Sequence, residues 1–389
     1  MDDKSAEKAE EERRLTLVEE LLLAREGAGP QATTSDTPRQ ANAAAVAREE
    51  RPPFEADEKA HLQSISLRGY KCLRHLDVHL AGTNIFTGPN NSGKSTLLGA
   101  LQILDAGIRT ARRVEPTSKQ TPDGSTYCYS VATERLTTST ENVHTDLADI
   151  ETTVRFGFRK GYELSLWFPA AGGCYFYVSE CEGRIPRSPK TFRDLVDINV
   201  RLVPVLGPLE HDEPLLQQAT VDRNLATHRA ARNFRNYWHH YPDDFEKFAE
   251  LISSTWPGVT VEAPELTPGQ PPTLHMFCQE HRITRELYWM GFGFQVWCQL
   301  LTHVSRVGST DLLVIDEPET YLHPVIQRQL LAILRATGAQ LLVATHSAPI
   351  VMGARPHEVF NIRRRARTAR PERRPSRALA FQLGLLEDT

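Results

Sequence analysis

Short apolar runs bounded by polar or glycine-bearing segments set the frame of this chain. Thr83–Thr87 (TNIFT) predicts a short strand, and Ser95–Leu104 (STLLGALQIL) predicts an apolar helix after it. Asp311–Glu317 (DLLVIDE) and Gln340–Ala344 (QLLVA) predict two more strands. Continuous apolar strands suit a parallel sheet covered on both faces. The helical period over Val325–Thr337 lies between those two strands, and a right-handed crossover through it sets them side by side.

Elsewhere the period changes. Thr152–Phe158 (TTVRFGF) and Tyr162–Phe168 (YELSLWF) alternate across Arg159-Lys160-Gly161, which predicts a hairpin, and Cys174–Ser179 follows as a further strand. Glu213–Asn236 and Asp243–Thr255 read as helical, and a strand pair is expected near Val259–Glu262 and Leu274–Cys278. At the start, Ala6–Glu26 predicts a helix with apolar rows at Leu15, Val18, Leu22 and at Leu17, Leu21, Ala24. Gly27–Pro53 has the composition of a disordered linker. The expected organisation is α/β, with an N-terminal helix and linker over 1–60 and a nucleotide-binding core in two pieces, 61–104 and 288–362. An inserted β lobe and helical subdomain is expected over 105–287, and a basic tail over 363–389.

The chemistry sits at the ends of these strands. Gly88-Pro89-Asn90-Asn91-Ser92-Gly93-Lys94-Ser95-Thr96 fits G-x-x-x-x-G-K-[ST] between the first strand and its helix. Glycines let the backbone N–H groups point inward at phosphate oxygens, with a helix N-terminus behind them. Lys94 can reach the β- and γ-phosphates, the Ser95 hydroxyl can ligate Mg²⁺, and Gly88, Asn90, Asn91, Ser92, Gly93 and Thr96 complete the cradle. Asp316 and Glu317 fall at the carboxyl end of their strand, where ligands of such sheets bind. Asp316 is expected in the Mg²⁺ shell, and Glu317 is expected to polarise the attacking water. His346 follows the third strand, placed to sense the γ-phosphate.

With these residues in view, the order of parts resembles the ATPase head of the ABC type, and more narrowly the heads of SMC-like and OLD-like ATPases. GPNNSGKST, DEPETYLHP at Asp316–Pro324 and ATHSAPI at Ala344–Ile350 carry the match, along with the lead-in Leu62–Leu80. The resemblance implies two strands and an exposed aromatic-Lys turn, here Tyr70-Lys71, ahead of the phosphate loop. It also implies an antiparallel β lobe after the loop's helix, and ATP hydrolysis only in a dimer, where a signature segment of one head closes on the other's nucleotide. The candidate signature is Met290-Gly291-Phe292-Gly293-Phe294-Gln295, with Gly291, Gly293 and Gln295 toward the phosphate. It departs from the usual Ser-Gly-Gly-Gln, because Met290 replaces the serine and Phe292 splits the glycines. No glutamine loop is assigned. OLD-like nucleases carry a Toprim domain after the head, and the residues after Ile362 are too few for one. Two alternatives stay open: a stand-alone ATPase with a separate effector protein, or a truncated member.

Composition narrows the partners. Over 389 residues the formal charge is −4 and 40% of residues are hydrophobic, enough for one or two cores and no global sign of nucleic-acid binding. No run of about eighteen apolar residues could span a bilayer, so no membrane partner and a cytoplasmic location are expected. Six cysteines without a C-x-x-C pair read as reduced core thiols. Eight arginines between Arg363 and Arg377, beside the single acid Glu372, form a basic tail of the kind that binds nucleic acid. His228–Trp238 mixes arginines with aromatics, which suits either stacking on bases or a core helix with arginines reaching outward. The expected function is Mg²⁺-dependent ATP binding and hydrolysis by a homodimer or higher oligomer. It would serve as a conformational switch in a DNA-linked or phage-defence process. The alternative is an ATP-binding sensor or scaffold that regulates a separate effector.

Overall fold

The computed structural model describes residues 61–132, 143–145, 151–225, 227, 229–364 and 369–373, all within one compact unit, Glu58–Thr389. The predicted helix Ala6–Glu26, the linker Gly27–Pro53 and most of the arginine tail lie outside the described residues.

The chain opens with β1 (Leu62–Tyr70), β2 (Leu73–His79) and β3 (Thr83–Thr87), then α1 (Lys94–Ala111). The lobe strands follow: β4 (Thr117–Thr121), β5 (Gly124–Ser130), β6 (Thr152–Phe158), β7 (Tyr162–Phe168) and β8 (Tyr175–Cys181). The next stretch holds α2 (Pro189–Leu195), β9 (Val200–Val203), β10 (Glu213–Pro214), α3 (Gln218–Asn224), α4 (Phe234–His240) and α5 (Phe245–Thr255). Short strands come next: β11 (Val259–Val261), β12 (Glu265–Thr267), β13 (Thr273–His275), β14 (Phe277–Glu280) and β15 (Ile283–Glu286). The last stretch is α6 (Phe292–Ser305), β16 (Leu312–Asp316), α7 (Pro324–Ala336), β17 (Gln340–Ala344), α8 (Ala348–Gly353), β18 (Val359–Arg364) and β19 (Ala369–Arg373).

Two large sheets share the core. The first runs β19-β18-β3-β17-β16-β9, parallel from β18 to β9, and β16 lies beside β17 with Asp316 opposite Ala344. The second is an antiparallel lobe, β2-β1-β6-β7-β8-β5-β4. The helix α1 lies under the lobe: Gly107 meets Phe176 so closely that a Cβ would stand 2.6 Å from its ring. The helix runs past the predicted end at Leu104 to Ala111, its buried face continued by Gly107, Ile108 and Ala111. Gln340 joins the sheets, its amide accepting from the Leu62 N–H at 2.9 Å and donating to the Leu62 and Ala81 carbonyls at 2.8 and 2.9 Å.

Several elements depart from the sequence reading. Within the segment read as an insertion, Val200–Val203 forms a strand that was not expected, β9, at the edge of the core sheet, anchored by Arg201 to Asp311 at 3.1 Å. Conversely β1 and β2, expected with the core, belong to the lobe sheet. Glu213–Asn236 is no single helix. The fully buried Glu213 carboxylate accepts the main-chain N–H groups of Arg235 and Asn236, at 3.1 and 2.7 Å, so the chain must fold back on itself. Phe234, Tyr237 and Trp238 are core, as the second reading of that segment has it, yet Arg235 does not reach outward: it is 0% exposed between Glu213 and Glu286. The expected strand pair is split, since β11 pairs with β14 while β13 joins β10 and β12. The strand β18 runs on to Arg364, and β19 pairs back along it.

Candidate nucleotide site

The phosphate loop leaves β3 at Gly88, whose φ of 151° lies in the region that favours glycine. A side chain on Gly88 would run into the Ile362 carbonyl oxygen, so the loop rests directly on β18. At the other end Gly93, φ 110°, opens α1 with no side-chain cap, leaving the first N–H groups of an 18-residue helix turned toward the loop. A Cβ on Gly93 would stand 2.6 Å from Leu73, and the Cys72 thiol sits 3.3 Å from the Thr96 hydroxyl, so the turn between β1 and β2 braces the loop. The Lys94 ammonium folds over the loop and donates to the Gly88 and Pro89 carbonyls at 2.9 and 3.3 Å. Asn90, Asn91 and Ser95 are exposed, Thr96 is half-buried and Ser92 is buried.

The carboxylates gather beside this loop. Burial holds the Lys94 ammonium below the ordinary lysine value, while the charges of Glu317, Asp316 and Glu319 pull it back up. Burial and the neighbouring Glu317 charge raise the Asp316 carboxyl to about 6, against the pull of Lys94 and a hydrogen bond with Ser95. One Asp316 oxygen is buried without a partner. An acid crowded by other acids, close to the loop serine and holding a spare oxygen, fits a divalent cation. Glu317 takes a left-handed backbone, φ 47°, held by its N–H donating to the Ala344 carbonyl at 2.9 Å. A non-glycine residue in that conformation costs of order 1–3 kcal/mol and marks a site where geometry outranks stability. The His346 Nε2 stands 3.6 Å from the Glu317 carboxylate.

Two matches with known families cover most of this unit. The family described as "AAA ATPase domain" matches residues 61–170, and the one described as "AAA domain, putative AbiEii toxin, Type IV TA system" matches 188–353. The fold is similar to an SMC head domain from Pyrococcus furiosus, solved bound to the C-terminal domain of ScpA, with TM-score 0.51 and 11% identity over 83% of this chain and 98% of that one. A second SMC head, solved bound to the C-winged helix domain of ScpA, gives TM-score 0.50 and 11% identity over 80% of this chain and 97% of that one. The fold is that of an ABC-type ATPase head. No curated protein matches the chain.

Within this fold, Lys94, Ser95, Asp316, Glu317 and His346 come together, whereas the contacts of Gly293 and Gln295 in the candidate signature are with other residues. Gly291 precedes α6 with open space around it, and Gly293 packs on the Tyr321 carbonyl, 2.9 Å from where a Cβ would be. Phe292 and Tyr321 are both more than half exposed, with ring centroids 5.9 Å apart. Gln295 is not free to meet a phosphate. It is fully buried, its amide donating to the Tyr288 and Met290 carbonyls at 2.7 and 2.8 Å and accepting from Leu209 at 2.8 Å. The Tyr70-Lys71 turn also differs from the expectation: Tyr70 is 0% exposed, its ring 6.1 Å from Phe168 in the lobe core.

Two residues that the motifs pass over organise the site. The Glu319 carboxylate accepts the His346 N–H at 2.6 Å, and Gln327 accepts the Ser347 hydroxyl at 2.6 Å while donating to the Leu322 carbonyl at 2.8 Å. Together they tie the loop after β17 to the loop after β16. The acid two places beyond Glu317 was the available signal for the first. Gln327, inside a helix of ordinary pattern, offered none. Among the described residues no helix is long and apolar enough to cross a membrane.

Proposed function

We propose that the chain binds Mg²⁺-ATP and hydrolyses it to ADP and phosphate, in a homodimer or higher homo-oligomer whose closing and opening is the output. The convergence of Lys94, Asp316, Glu317 and His346 on the phosphate loop carries this reading. The uncapped N–H groups of α1 and the Lys94 ammonium hold the phosphates. Ser95 and Asp316 would hold Mg²⁺, which supplies charge neutralisation when bound. Glu317 orients a water for in-line attack on the γ-phosphorus, the bond to the bridging oxygen breaks and ADP leaves. His346, fixed through its main chain by Glu319, lies beside the departing phosphate.

The output is a conformational switch in a DNA-linked or phage-defence process of the OLD-like kind, and a separate effector protein receives it. That step rests on the motif resemblance and on the printed description of the family matching 188–353. Docking of a separate protein on such a head has a precedent in the ScpA-bound SMC heads.

Steady-state hydrolysis by the purified chain over a concentration series, with and without duplex DNA and beside Lys94→Ala, tests the proposal. A rate per chain that rises with concentration and vanishes in the variant supports it. Hydrolysis no greater than the variant's in every condition overturns it. A second reading, a sensor or scaffold that binds ATP with little turnover, is favoured by the exposed Phe292 between the two glycines and by the internal bonding of Gln295. ATP binding without turnover would select that reading.

A further inference from the structure

A cavity of about 40 Å³ lies along β9, the edge strand of the core sheet. One water needs about 10–15 Å³ by this measure, so the space suits an ion of a few heavy atoms. Its lining follows β9 from Val200 to Val203, the stretch paired with Leu312 to Ile315 of β16, and none of Gly88–Thr96, Asp316, Glu317 or His346 lines it. The cavity is therefore separate from the phosphate loop.

Its wall carries three guanidinium groups, Arg109, Arg201 and Arg306, against one carboxylate, Asp222. Arg109 is held by Asp105 at 2.8 Å and Arg201 by Asp311 at 3.1 Å, and neither of those acids lines the cavity. A guanidinium has five N–H donors, so each keeps some to offer. The Asp222 carboxylate is engaged by the Tyr241 hydroxyl, 2.8 and 3.0 Å from its two oxygens. Arg306 differs from the other two arginines. Half-buried, it has no carboxylate within ion-pair reach among the described residues, and its guanidinium lies 5.0 Å over the Tyr237 ring. Burial, with the Arg201 charge acting the same way, holds it below the ordinary arginine value, while Tyr237 and Asp222 pull in the other direction. His303 in the same wall is neutral, held down to about 3 by burial and by Arg306. The edge position of β9 also leaves one row of its backbone N–H groups without a strand neighbour among the described residues.

We propose that this cavity is a second anion site of the molecule, taking a phosphate-class dianion between Arg306, Arg201, Arg109 and the open edge of β9. Free orthophosphate and a terminal phosphomonoester offer the same chemistry, and the small volume favours orthophosphate.

Isothermal titration of sodium phosphate into the full chain carrying Lys94→Ala, which weakens the nucleotide site, tests this. One saturable site is expected, with Kd raised at least tenfold by adding Arg306→Gln and severalfold by adding Arg109→Gln. A parallel titration with AMP separates the sources: binding with the same Arg306 dependence assigns a phosphomonoester, and its absence assigns the free ion. No saturable heat with either probe, or a Kd unmoved by both substitutions, overturns the proposal. Should circular dichroism show that Arg306→Gln does not fold, the surface variant Arg109→Gln decides. Failure here leaves the nucleotide reading intact, because that reading is tested by hydrolysis.

Discussion

The imidazole of His346 faces the carboxylate of Glu317 across 3.6 Å, joining the ends of the two neighbouring parallel strands β17 and β16. Each partner is fixed through its main chain: Glu317 donates its N–H to Ala344, and His346 donates its N–H to Glu319. Main-chain bonds thus set the position of both groups, as the proposed roles in orienting water and sensing phosphate would require.

Glu317→Gln should keep this geometry and remove the charge. Hydrolysis is expected to fall by about 10²–10⁴, the usual worth of a positioned general base. ATP affinity should stay within a few-fold and ATP-held dimers should accumulate, seen by single-turnover assay and light scattering. An ATPase rate within threefold of wild type would remove Glu317 from the chemistry.

Two glycines should respond in opposite ways. In Gly88→Ala the new methyl meets the Ile362 carbonyl and the backbone sits at positive φ, so a loss of about 1–3 kcal/mol or more is expected, with nucleotide binding abolished. Gly291 has nothing within 4 Å and an ordinary φ of −57°, so Gly291→Glu should leave stability within about 0.5 kcal/mol. If a second copy closes on that surface, Gly291→Glu will nevertheless cut hydrolysis per chain. Chemical denaturation beside hydrolysis assays separates the two effects, and full activity in Gly291→Glu would exclude closure there.

A buried arginine between two carboxylates sits at the centre of the inserted helices. Arg235 reaches Glu286 at 2.6 Å and Glu213 at 3.3 Å with no exposure of its own. Arg235→Met leaves two carboxylates without their cation, so a loss of about 3–5 kcal/mol is expected. Urea unfolding measures it, and a loss under about 1 kcal/mol would mean that the pair is not what orders this segment.

The parts legible in the sequence were those where local pattern and chemistry coincide. Gln340–Ala344 was legible to the residue, because a buried parallel strand is apolar throughout and ends where its ligand-facing loop begins. The Thr152–Phe168 hairpin was legible because one face is buried and the turn residues lie in the right place. Where long-range contacts decide, pattern misled. Nothing local marks Val200–Val203 as the edge of the core sheet, since its neighbour β16 begins more than a hundred residues later. Glu213 looks like a helix residue until its carboxylate is seen capping the N–H groups of Arg235 and Asn236. Gln295 was drawn toward the phosphate by the motif alone, whereas its neighbours Tyr288, Met290 and Leu209 consume its amide.

His303, on the buried face of α6, supplies a pH test of the core. In the folded chain burial and the Arg306 charge hold its imidazole down to about 3, against about 6.5 when unfolded. Between those values the unfolded chain binds the extra proton, so the stability His303 contributes is complete above about pH 6.5 and is lost as pH falls toward 3. The slope from this one group cannot exceed about 1.4 kcal/mol per pH unit. His303→Gln keeps a polar side chain of similar reach and cannot take the proton. Urea unfolding of both proteins at pH 7 and pH 5 should show the wild type losing on the order of 1–2 kcal/mol more than the variant. Equal losses would mean that the imidazole is protonated without cost in the folded chain, and so that its burial does not hold it neutral.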